Sequence, residues 1–238
     1  PSSISTDEIW NINQDNQGIL WFGAYKGGLN LLNLRQKHFK SWQHGPTNPK
    51  SLAGSSVLSF EERGDMKLWI GIDRAGLSLF DRKTGTIRTY KHKPGSPGSL
   101  SANAVLSLMI DNKRQLWAGT WAGGLNRFEP QTETFKHYSP PYIYIKQWHV
   151  WDIMQDSKGR IWTASARGLS RLDEANNEFI TYQYNNKKDR SLSHNASWAL
   201  LEDSKKRIWI GTSAGLDRYN EETDDFTYYP YQTTDSIQ

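Results

Sequence analysis

Hydrophobic and polar residues alternate along this chain in short runs of about six, and the runs come in fours. Around Trp117 they are VLSLMI, QLWAGT, GLNRFE and TFKHYS, each rich in branched and aromatic side chains. Turn-forming strings separate them: DNKR after the first, AGG after the second, PQTE after the third. No stretch shows a helical period bounded by caps. The pattern predicts four short antiparallel strands per unit and an all-β chain.

The unit recurs. Trp21, Trp69, Trp117, Trp162 and Trp209 stand in the near-identical contexts ILWFG, KLWIG, QLWAG, RIWTA and RIWIG, at spacings of 48, 48, 45 and 47. Twelve residues before each Trp stand Ile9, Val57, Val105, Val150 and Ser197. Six before stand Asp15, Arg63, Asp111, Asp156 and Asp203. A Gly-Leu pair follows each Trp, then an aromatic or Ile (Phe39, Ile87, Phe135, Phe179, Phe226) and Trp42, Tyr90, Tyr138, Tyr182 and Tyr229. Four strands at a period of 40–50 mark a β-propeller blade. The expected fold is therefore five four-stranded antiparallel blades, near 5–47, 53–95, 101–141, 146–187 and 193–233. They form either a closed five-blade ring or a piece of a longer array.

Positions present in every copy have structural explanations. The Trp should fill the seam between adjacent sheets. The Asp should accept N–H groups of the first turn. The Gly should take a positive φ or permit close backbone approach. A binding site is expected where the copies differ.

Composition narrows the chemistry. The chain of 238 residues holds 11 Trp and 11 Tyr but no Cys, so disulfides, thiolate metal sites and a cysteine nucleophile are excluded. The formal charge of +4 is scattered, without the clustered cations that nucleic acid requires. No apolar run approaches the ~18 residues of a membrane span, so neither nucleic-acid nor membrane contact is expected. P-loop, HExxH, EF-hand and GxSxG motifs are absent.

Naming the strands A to D, the D-to-A linkers and B-to-C turns share one rim, where the copies vary. Its turns offer Tyr25, Lys26, Asp73, Arg74, Trp121 and Arg167. The starts of the A strands add Glu8, Trp10, Ser55, Asn103, His149, Trp151, His194, Asn195 and Trp198. The linker before the fourth A strand reads SPPYIYIKQWHV, lacks the Ser-Leu of the others, and contributes Tyr142, Tyr144 and Trp148. Aromatic faces beside Arg, Asp and Asn suit a sugar, a peptide or another small ligand. The same aromatics could equally pack an inner rim or a neighbouring domain.

The strings LSANAVLSLMIDNKRQLWAGTWAGGLNRFEPQTETFKHY (Leu100 to Tyr138) and LSHNASWALLEDSKKRIWIGTSAGLDRYNEETDDFTYY (Leu192 to Tyr229) resemble the two-component regulator propeller repeat. The resemblance implies a periplasmic sensor domain of a bacterial receptor, coupled to a histidine kinase or diguanylate cyclase, often sensing oligosaccharides. That family's propellers usually hold more than five blades, so further blades and signalling domains of a parent chain are expected partners, and the chain reads as a piece cut from a longer array. A homodimer through blade faces is the alternative scaffold reading. No cofactor and no metal are expected. The DxxGxxW strings at Asp15 and Asp156 are similar to the Asp-box of sialidases, and the repeat more distantly resembles streptogramin lyase. Either His149 with Asp152 or His194 with Glu8 would then serve a hydrolase or lyase. Neither pair has a diagnostic spacing, and the expected function is ligand sensing without catalysis.

Overall fold

A computed structural model describes all residues except 1–2, 16, 35–37, 46, 49, 141–147, 175, 177 and 231–238. The described residues contain strands and turns and no helix. The first sheet holds β1 (Ile9–Gln14), β2 (Leu20–Ala24), β3 (Gly28–Asn33) and β4 (His38–Trp42). The second holds β5 (Val57–Gly64), β6 (Lys67–Ile72), β7 (Gly76–Asp81) and β8 (Thr86–Tyr90). The third holds β9 (Val105–Ile110), β10 (Leu116–Thr120), β11 (Gly124–Glu129) and β12 (Thr134–Tyr138). The fourth holds β13 (Val150–Gln155), β14 (Ile161–Ser165), β15 (Gly168–Asp173) and β16 (Glu178–Tyr182). The fifth holds β17 (Ser197–Glu202), β18 (Ile208–Thr212), β19 (Gly215–Asn220) and β20 (Asp225–Pro230). Each sheet is an antiparallel meander in chain order. These are the five blades of a β-propeller.

The chain divides into two compact units, residues 1–121 with 125–137 and residues 122–124 with 138–238. Within each unit the core lies between successive sheets. In the first, Trp21 and Leu29 pack on Leu52, Val57, Phe60, Ile70 and Phe80 of the next repeat. Trp69 and Leu77 pack likewise on Leu100, Val105, Leu116 and Phe128. In the second, Trp162 and Leu169 meet Leu192, Ile208, Ile210 and Phe226. Removing one such indole would cost about 3–5 kcal/mol.

The repeated Asp does more than hold its turn. Asp111 accepts the N–H groups of Lys113 and Gln115 at 2.9 and 2.8 Å, and also the indole N–H of Trp117 at 2.9 Å. Asp15, Asp156 and Asp203 bind Trp21, Trp162 and Trp209 in the same way. The turn is thus tied to the residue that plugs the seam. Burial opposes ionisation of Asp15 and Asp156, but the indole and backbone donors outweigh it and hold both below the usual carboxylate range. The second sheet departs from the repeat. It has Arg63 in place of the Asp and closes β5–β6 through Asp65 and Met66, both at positive φ (50° and 61°), as a tight two-residue hairpin requires.

The Ser-Leu of the linkers also has a physical role. The Ser51 hydroxyl binds the Gly45 N–H and C=O groups, Ser99 does the same with Lys93, and Ser191 with Asn185. The following Leu52, Leu100 and Leu192 are fully buried.

Candidate functional site

Every sheet carries one irregularity at the same place. The pairing of the first two strands slips after Ile9, Val57, Val105, Val150 and Ser197. A β-bulge re-aims the extra residue, and here that residue is Trp10, Leu58, Leu106, Trp151 or Trp198. The bulge lies at the sheet end that also holds the B-to-C turn. Three of the five sheets therefore present an indole there.

In the first unit, Trp10 stacks on Tyr25 with centroids 5.2 Å apart and planes 8° from parallel. Trp10 Nε1 donates to Glu8 Oε1 at 2.8 Å, and Lys26 Nζ stands 5.0 Å from the Tyr25 ring. Lys26, Arg74 and Ala122 hold the left-handed turn position, with φ of 54°, 55° and 59°. Asp73 and Arg74 form a loose surface pair at 3.8 Å, and Trp121 is exposed. Ser55 gives its carbonyl to the Gly28 N–H.

In the second unit, Trp151 and Trp198 lie 5.0 Å apart at 39°, and His149 sits 5.9 Å from Trp151. Trp198 is 48% exposed, and its Nε1 donates to Ser213 Oγ at 2.8 Å. His149 Nδ1 accepts the Ala122 N–H at 2.9 Å. Burial first, and the Arg167 charge second, lower the His149 pKa, so it is held as the neutral acceptor. Beside this pair, Asp152 accepts the N–H groups of Ile153 and of Leu200 on the neighbouring sheet, each at 2.8 Å. Its burial raises its pKa to about 6. Gln183 Nε2 donates to the Arg167 carbonyl.

Several residues chosen from the sequence fall elsewhere. Trp148 is a correction: it is 0% exposed, edge-on to Phe179 at 5.1 Å, and a core residue. A side chain on Gly124 would collide with its ring, Cε3 lying 2.6 Å from an added Cβ. Asn103 and Asn195 use their Oδ1 atoms on the backbone N–H groups of His92 and Tyr184, both at 2.8 Å. They tie down linkers. His194 Nδ1 accepts the nearby Ala196 N–H. Tyr142 and Tyr144 lie outside the described residues. His149 Nδ1 and both Asp152 carboxylate oxygens are each taken by a backbone N–H group. Among the described residues, no group of three or more His, Cys, Asp or Glu could hold a metal ion.

Sequence reading missed the bulge, which makes Trp10, Trp151 and Trp198 equivalent. It also missed Ser213 as the partner of Trp198. A slip in pairing leaves no mark in one strand's sequence, although five aligned repeats with Trp, Leu, Leu, Trp and Trp after the β-branched position hint at it. A cleft of about 1050 Å³ lies instead between the linker 184–193 and the fifth sheet. It is lined by charged and polar groups such as Lys188, Arg190, Glu221 and Glu222, and neither Trp151 nor Trp198 borders it.

Residues 3–26 and 191–214 match the model of the two-component regulator propeller. These two stretches of the first and fifth repeats are similar to that family's repeat. The chain is similar to the extracellular domain of a putative hybrid two component system from B. thetaiotaomicron, at 25% identity and a TM-score of 0.79 over 94% of the chain. It spans 30% of that domain's length. A second such domain from B. thetaiotaomicron matches at 18% identity and a TM-score of 0.57, covering 92% of this chain and 37% of that one. A catalytically inactive virginiamycin B lyase from Staphylococcus aureus, solved with quinupristin, shares the fold at 12% identity and a TM-score of 0.74, over 98% of this chain and 73% of the lyase. No curated protein matches the chain.

Proposed function

We propose that this chain is a two-component regulator propeller, a ligand-sensing, non-catalytic segment of a bacterial receptor, facing the periplasm and reporting to a histidine kinase or diguanylate cyclase elsewhere in its parent chain. Its ligand is a glycan or another small molecule, held at the sheet ends that carry the bulges. The observation that supports this most is the Trp151–Trp198 pair, set out by two bulges with His149, Arg167 and Ser213 around it. Indole faces cover the C–H faces of a sugar ring while bordering polar groups bind its hydroxyls. Trp10, Tyr25 and Lys26 form a second platform of the same chemistry in the first unit. The receptor context follows the extracellular domains of hybrid systems to which the chain is similar.

A thermal-shift screen of oligosaccharides and peptides tests the reading. A ligand at ten times its Kd stabilises by about 1.4 kcal/mol. Trp198→Ala, at the more exposed position, should abolish the shift while keeping the fold, and Trp151→Ala should weaken it. Full response in both variants would move the site elsewhere. Turnover of a ligand that depends on His149 would replace sensing with catalysis.

A further inference from the structure

At its bulge end, the seam between the fourth and fifth sheets is closed differently from the first two seams. There, a valine that opens the first strand of one sheet presses on a second-strand glycine of the sheet before it. A Cβ on Gly23 would stand 3.1 Å from Val57 Cγ1, and one on Gly71 would stand 2.9 Å from Val105 Cγ1. At the counterpart positions of the fourth and fifth sheets stand Ala164 and Ser197, both buried. Ser197 Oγ has no hydrogen-bond partner among the described residues. Serine is smaller than valine and brings a hydroxyl that nothing satisfies, so this packing holds β17 less firmly. The far face of the fifth sheet does not compensate, since Leu216 is 40% exposed where Leu29, Leu77 and Leu169 are 0%.

A carboxylate does the holding instead. Two residues after the valine position the five sheets carry Asn11, Ser59, Ser107, Asp152 and Ala199, so the acid belongs to the fourth sheet alone. β17 is an edge strand, and an N–H on it that faces away from β18 has no ladder partner. Asp152 accepts such a group, the Leu200 N–H, at 2.8 Å across the seam, and its other oxygen accepts the Ile153 N–H at 2.8 Å. Asp152 directly follows the bulge residue Trp151, and Leu200 lies two residues after the bulge residue Trp198. This charge-assisted bond therefore ties one bulge to the other. The indoles that the two bulges carry lie 5.0 Å apart.

We infer that Asp152 is the positioning residue of the Trp151–Trp198 pair, its carboxylate locking the two bulges in the register that brings the indoles together. Its use in binding rests on the ligand-sensing reading above, whereas its geometry does not. Both N–H groups need an acceptor. The ionised carboxylate offers two, while the O–H of the neutral acid would point at a donor. Burial raises the Asp152 pKa to about 6, against the two N–H groups that lower it. The lock is thus set at neutral pH and released as the pH falls through 6. Keeping the charge has a cost, because a group whose pKa is raised on folding takes stability away as the pH rises through that value. Buried charges of this kind gather at functional sites.

The titratable groups of the surrounding elements are otherwise engaged. β14 carries none. Glu202 of β17 binds Ser157 at the opposite sheet end. His149 and His194 accept the N–H groups of Ala122 and Ala196, and the Arg167 charge acts on His149.

Two indoles in contact give an exciton couplet in the far-ultraviolet circular dichroism, and the part that Trp198→Phe removes belongs to this pair. That part should shrink at least about twofold between about pH 8 and about pH 4.5, with its midpoint near 6. Asp152→Asn copies the neutral acid, so its couplet should be small and the same at both pH values, with a cooperative thermal transition retained. Asp152→Ser, which copies Ser59, should behave alike. The parent's titration needs no variant and decides even if both substitutions unfold the chain. No couplet lost in Trp198→Phe, a parent couplet indifferent to pH, or a full couplet in Asp152→Asn would each overturn the inference. So would a transition near pH 6 that persists in Asp152→Asn, which would make His149 the titrating group. The couplet is read without ligand, so a failed oligosaccharide screen counts against the proposed function alone.

Discussion

Two carboxylates on first strands are used as backbone acceptors rather than as surface charges. Glu61 accepts the N–H of Ile110 on the next sheet, yet desolvation and the nearby Glu62 charge raise its pKa from 4.5 to about 7. The folded protein therefore binds this proton more tightly than the unfolded chain does. The stability it contributes is complete below pH 4.5 and is lost as pH rises through 7. Glu61→Gln keeps an acceptor and removes the charge. It should stabilise the protein by about 1–3 kcal/mol at pH 8 and have little effect at pH 4.5. Urea denaturation at the two pH values measures this, and an equal effect at both would show that the charge is not the cause. Asp152 has the same character but faces two N–H groups, so an amide there would set a donor against a donor.

At the scale of the element, the second strand is shaped by its neighbour more than by its own propensity. Glycine weakens a strand, yet Gly23, Gly71 and Gly211 sit in the middle of otherwise β-favouring runs. The first two sit against the next sheet's valines. Gly71→Ala should therefore destabilise by about 1–3 kcal/mol through overpacking against Ser59 of its own sheet and Val105 of the next. Gly211→Ala, which would meet only Ala199 at ordinary van der Waals distance, should stay within about 0.5 kcal/mol of the parent. Thermal melts of these variants and of Gly23→Ala, whose tight contacts are with Val57 of the next sheet, decide; equal losses at all three positions would mean that the cost is in the strand and not in the seam. The bulge is the other feature set at this scale. It turns one residue of each first strand toward the rim, and whether that residue is Leu or Trp separates a plain sheet end from an aromatic one.

Across the whole molecule, a repeat array draws its stability from intrinsic terms and nearest-neighbour seams. A sheet with one exposed face has fewer such terms. Native-state hydrogen exchange should accordingly be graded, with the amides of β19 and β20 exchanging at least about tenfold faster than those of β6 and β7. Uniform protection would contradict a nearest-neighbour account. Much of this level was legible beforehand, because five copies at a fixed spacing report a pattern that a single copy could not. The strands, the seam role of Trp21, Trp69 and Trp162, and the turn role of Asp15, Asp111, Asp156 and Asp203 all follow from that periodicity. The site was less legible. Trp148, Trp151 and Trp198 look alike as letters near the start of a strand, and only the first is buried.

The sequence by itself determined the class of fold, the number of sheets and the residues that fill their seams, because those depend on alternation and on recurrence along one chain. Tertiary structure decided which aromatics face water, why a glycine stands at 23, 71 and 211, and where each carboxylate finds its donors. These depend on pairing slips and on the approach of a neighbouring sheet, distances between residues about 48 apart that no local pattern encodes.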